Sequence, residues 1–193
     1  MLAAAVVPHP PLLVPALAAG RAPELAGLLA ACDAGVADLL AVAPQVIVLV
    51  GAGERTTRHL RNAWGTFAGF GVDVAVSPVP GVEPAALPRL PLPLTIGRWL
   101  LERAGWRGEV VCQEVAAGAT QQQCADVARG LVGELPAGAA WLALADGDDL
   151  TNHPAVMVLA AAQDGARRER ELVQYDDTPY DVRYRVAGWR LVP

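Results

Sequence analysis

Two hydrophobic rhythms alternate along this chain. Unbroken apolar runs at residues 2–7, 46–50 and 141–145 have the length of strands covered on both faces. Between them, apolar residues recur every three or four positions. Leu25, Leu28, Leu29, Cys32, Val36, Leu39 and Leu40 form one such stripe, opened by Pro23 and closed by Pro44. Leu94, Trp99, Leu100 and Leu101 begin a second helix, which stops at Gly105. Cys124, Val127, Ala128 and Leu131 form a third stripe behind Thr120, a good N-cap. Further strands are predicted at residues 72–76 and 109–115. The loop at 51–57 is expected to turn into a short helix through Leu60. Residues 77–93 carry six prolines and predict a stiff, irregular excursion.

The end of the chain reads as a hairpin. Residues 171–175 pair across 176–179 with a strand in which Tyr180, Val182, Tyr184 and Val186 alternate against Asp181, Arg183 and Arg185. Trp189 and Leu191 break that parity, and a bulge at Gly188 would reset it. Alternating strands and helices closed by a hairpin predict an α/β fold. It is a three-layer sandwich with a mainly parallel central sheet and a C-terminal antiparallel hairpin.

With 193 residues, 53% of them hydrophobic, the chain suits one domain over residues 1–193. No apolar run is long enough to span a bilayer. The Ala-rich start lacks a basic n-region and is interrupted by four prolines, so no signal peptide is expected and a cytoplasmic protein is the default. All 15 basic residues are Arg, which excludes lysine Schiff-base chemistry and a Walker-type phosphate loop. The net charge of -5 argues against a nucleic-acid surface. Arg167, Arg168 and Arg170, interleaved with Glu169 and Glu171, read as a solvated turn or helix face. Cys32, Cys112 and Cys124 have no metal or disulfide spacing and read as core thiols.

Candidate chemistry gathers at three predicted strand ends that share one rim of the sheet. The first is His9, boxed by Pro8, Pro10 and Pro11, which cannot extend a ladder and so place His9 at the carboxyl end of a strand. The plainer reading is a half-buried histidine bonded to a backbone carbonyl. The second is the loop at 51–57, and the third runs from Asp146 through Asp148 and Asp149 to His153. Two histidines and a carboxylate form a usual donor set for non-haem iron(II), manganese or zinc. A solvated turn is the alternative for the aspartates. Gly51-Ala52-Gly53 after a strand also suggests an anion site using backbone N–H groups with Arg55 or Thr56, although the third glycine of a dinucleotide fingerprint is absent. His59, among Arg55, Arg58 and Arg61, reads as a surface residue.

The opening V-P-H-P-P-L-L, the later L-P-L-P-L-T-I-G and the stretch D-L-T-N-H ending at His153 resemble the class III extradiol dioxygenase superfamily. That superfamily includes LigB-type catalytic subunits and Memo-like proteins. The closing P-Y-D-V-R-Y-R-V-A-G-W resembles an uncharacterised LigB-like branch. The resemblance implies an iron(II) site that opens catechol rings with dioxygen. It makes His9 the first metal ligand and His153 the acid–base residue, while Asp149 is a candidate metal ligand from the two-histidine, one-carboxylate reading. Two departures matter. Where active members carry a second metal histidine this chain has Ala52, and the stretch between His153 and Glu171 is abbreviated, with no residue assigned as counterpart of the glutamate that serves as third ligand.

The expectation is therefore a LigB-like protein whose iron site is incomplete and whose iron is not retained. It would keep a small-molecule cleft or act as a non-catalytic interaction protein, with a homodimer as a further possibility. The alternatives are a diverged metal enzyme built on His9, His153 and an aspartate, and a nucleotide or phosphate binder at Gly51 and Gly53.

Overall fold

The computed structural model describes residues 3–18, 20–77, 86–147, 150–163, 168–175 and 184–191. Among these described residues, nine strands and four α-helices follow the chain as β1 (Ala3–Val7), α1 (Ala26–Ala41), β2 (Val46–Gly53), β3 (Thr57–Arg58), β4 (Gly65–Thr66), β5 (Ala75–Val76), α2 (Leu92–Arg103), β6 (Glu109–Ala116), α3 (Gln121–Glu134), β7 (Ala140–Leu144), α4 (Pro154–Ala162), β8 (Arg168–Tyr175) and β9 (Tyr184–Leu191). Seven of these strands form one sheet in the order β3-β6-β2-β7-β1-β9-β8. β6, β2, β7 and β1 run parallel at its centre, while β3, β9 and β8 add antiparallel pairings at its edges.

Alternation along the central strands divides the core in two. Ala3, Ala5, Val7, Ile47, Leu49, Ala140, Leu142 and Leu144 face α1 and α2, meeting Leu28, Cys32, Val36, Leu94 and Leu100. Ala4, Val6, Val48, Val50, Trp141 and Ala143 face α3 and α4, meeting Cys124, Ala128, Leu131, Ala155 and Val158. Burying one Leu or Val side chain this way contributes roughly 1.5–3 kcal/mol, so the two apolar layers dominate stability. At α3, Thr120 accepts from the Gln123 N–H while the Gln123 side chain accepts from the Thr120 N–H, a reciprocal cap worth about 1 kcal/mol.

Several expectations change. The region after Gly53 is not helical: β2 runs on to Gly53, the chain bends, and Thr57–Arg58 returns as an edge strand on β6. Of residues 72–76 only Ala75–Val76 is a strand, and it pairs with Gly65–Thr66 in a separate small sheet. The charged Arg168–Glu171 stretch belongs to β8 rather than to a turn or helix. The register of β9 against both β8 and β1 runs without interruption through Gly188, so no bulge occurs there. Tyr184 and Val186 do share the face that packs on α1, while Tyr180 and Val182 lie outside the described residues. Helix α4 was not foreseen at all.

Candidate functional site

Because β1 and β7 are parallel neighbours, the residues just past their carboxyl ends are neighbours too. Val7 sits opposite Leu144, and the Ala145 N–H donates to the Val7 carbonyl at 3.0 Å. His9 and Asp146 come next. In the run from Pro8 to Pro11, His9 has the only backbone N–H, and it donates to Asp146 Oδ1 at 2.7 Å. The His9 ring turns to the same carboxylate, with Nδ1 3.2 Å from Oδ2. The chain after β1 leads to α1 on one face of the sheet, and the chain after β7 leads to α4 on the other. A gap at the carboxyl ends, between segments that leave to opposite faces, is where open α/β sheets bind ligands.

His153 completes this group. It is the N-cap of α4, where its carbonyl accepts from the N–H groups of Val156 and Met157, and Pro154 fixes the first helical position. Its side chain makes no cap, and its Nδ1 is buried with no hydrogen-bond partner among the described residues. Burial pushes the His153 pKa below its ordinary value, the charge of His9 pushes the same way, and Asp146 opposes them. The charges of His9 and Asp146 thus both reach His153, far from His9 in sequence. The field of Asp146 also reaches Cys32 on α1, whose thiol is held protonated chiefly by burial. Asp148 and Asp149 lie outside the described residues.

Among the described residues no three His, Cys, Asp or Glu side chains converge on a metal position, and Ala52 on β2 offers only a methyl group, so the described donors alone do not make an iron(II) set.

A second polar cluster lies farther along the rim and corrects the surface placement of His59. Its side chain is only 7% exposed, and Nε2 lies 3.0 Å from Oε2 of Glu114, itself 5% exposed. The His59 N–H donates to the Cys112 carbonyl, extending the edge pairing begun by β3. Glu114 Oε1 accepts from the Arg55 N–H at 3.2 Å. Gly53 makes this possible, since a Cβ there would stand 2.7 Å from Glu114 Cγ and Cδ. Gly51 is similarly pressed by the start of α2, where a Cβ would meet Pro93 at 3.0 Å. The Thr56 hydroxyl accepts from the Ala116 N–H. Sequence reading missed this pair, though one signal was present. Glu114 shares the inward parity of Val110 and Cys112, and an acid on a buried face needs a partner.

No protein-family model matches the chain, and no curated protein matches it.

Proposed function

We propose that this chain is a LigB-like protein that binds an uncharged small molecule at the His9–Asp146–His153 rim and does not open aromatic rings with iron. The observation that carries this reading is Asp146 held against His9 at the rim, together with His153, whose buried Nδ1 has no partner among the described residues. An imidazole facing a carboxylate, with a second imidazole carrying an unmet polar atom, offers polar groups to a ligand. The family resemblance supplies the ancestry, and Ala52 supplies the reason that metal chemistry is lost.

An anion site at Gly51 and Gly53 is less favoured. The Arg55 N–H already bonds a carboxylate there, and the Thr56 hydroxyl is engaged with β6. A phosphate would meet the charge of Glu114.

Two measurements test the proposal. After anaerobic reconstitution with iron(II), the protein should hold well under one iron per chain and give no ring-opened product from protocatechuate. A fragment set followed by NMR should perturb the ring signals of His9 and His153. One iron per chain with turnover abolished by His9→Ala would overturn the reading, and so would a broad fragment set that leaves both histidines undisturbed.

A further inference from the structure

Gly147 follows Asp146 with φ 102°, a conformation that glycine adopts freely and residues with a Cβ rarely do. The loop after β7 therefore calls for glycine directly behind the aspartate that holds His9, and the sequence is committed to Asp-Gly at this point. Asp-Gly is the dipeptide in which a chain most readily attacks its own side chain, because no Cβ shields the glycine nitrogen.

In that attack the Gly147 nitrogen bonds to Asp146 Cγ and a five-membered succinimide closes. One oxygen of the protonated carboxyl leaves as water, taking the carboxyl hydrogen and the amide hydrogen with it. Water then opens the ring at either carbonyl. Opening at Cγ restores aspartate, and opening at the main-chain carbonyl leaves an isoaspartyl link that runs through Cβ and Cγ. No oxidant or cofactor takes part.

His9 opposes this chemistry at both carboxylate oxygens. Oδ1 accepts the His9 N–H at 2.7 Å, and Oδ2 lies 3.2 Å from Nδ1. Ring closure expels one of those oxygens and turns the other into a neutral imide carbonyl, so both contacts cannot survive it. We infer that Asp146–Gly147 is a latent isoaspartate site, kept closed by His9, whose conversion marks molecules in which the His9 hold has been released. The product does not rebuild the two-point hold, because its main chain is one carbon longer and its free carboxylate sits on Cα. Small-molecule binding at the rim plays no part in this chemistry.

The test incubates the full chain at neutral pH and physiological temperature. Isoaspartate at position 146 is followed by peptide mapping with electron-transfer fragmentation. Native wild type should convert about tenfold more slowly than the same chain in urea, the factor expected from releasing a hydrogen bond to a charged group. The second Asp-Gly of the chain, Asp164–Gly165, reports the unhindered rate in the same urea digest. His9→Ala removes the ring contact and keeps the backbone N–H, whereas His9→Pro removes both. With folding checked by amide spectra, His9→Ala should recover part of the tenfold difference and His9→Pro most of it. If His9→Pro does not fold, wild type, His9→Ala and the urea-unfolded chain decide the order. Native conversion at the urea rate, or an unchanged or slower rate in His9→Ala, would overturn the inference. So would an Asp146 that stays intact in urea while Asp164 converts.

Discussion

Asp146 holds His9 at two points, with Oδ1 accepting the backbone N–H at 2.7 Å and Oδ2 facing ring Nδ1 at 3.2 Å. Asp146→Ala removes both contacts and leaves the His9 N–H without its partner. The expected loss is about 1–2 kcal/mol, moderated because the pair is partly open to water. Urea unfolding measures it, and an unchanged midpoint would show that water replaces the carboxylate fully.

His59 and Glu114 form the most buried ionisable pair among the described residues. His59→Ala leaves Glu114 with only the Arg55 N–H, and an uncompensated buried acid costs about 3–5 kcal/mol. Replacing both residues by apolar ones of similar size should cost much less. A double-mutant cycle in denaturant distinguishes this coupling from simple loss of packing.

Gly53→Ala is expected to destabilise by about 1–3 kcal/mol, because the new methyl collides with the Glu114 side chain. Placed on a Glu114→Ala background, the same change should cost far less. Additive effects would mean that the collision is relieved elsewhere.

Stability should depend on pH through His153. Its folded pKa lies below the ordinary 6.5, so between the folded value and 6.5 the unfolded chain binds more protons than the native one. Stability therefore rises with pH across that window, is fully present above 6.5, and falls on acidification until the native ring also protonates. His153→Gln should flatten this part of the profile, measured as denaturation midpoints across buffers.

All three thiols are buried, and burial pushes Cys112 up to about 11. Native protein should therefore resist iodoacetamide at neutral pH, while urea should expose Cys32, Cys112 and Cys124 together. Mass spectrometry counts the alkylated sites, and rapid native labelling would contradict the packing of α1, β6 and α3.

What the sequence reveals depends on whether a residue's structure is decided nearby. Residues 46–50 declare a covered strand by composition, and Thr120 with Gln123 declares a helix start within four positions. Helix α4 hides because Ala155, Val156, Met157, Val158 and Leu159 are apolar all round, leaving no periodicity to read. β3 hides because two residues carry no pattern, and its pairing is decided by β6, far along the chain. At the site, the proline box around His9 marks a strand end locally. Its bond to Asp146 follows only from β1 and β7 being neighbours, which no short window contains.

That adjacency also orders events in time. The first strand lies between β7 and β9, both of which follow α1, β2, α2, β6 and α3 in sequence. A nascent chain must therefore carry Ala3–Val7 unpaired past most of its own synthesis, an apolar segment open to chaperones and to wrong partners. When β7 arrives it closes the centre of the sheet and, in the same movement, delivers Asp146 to His9. The rim has no half-assembled form to select for or against: a molecule able to bind there is one whose central sheet is already complete.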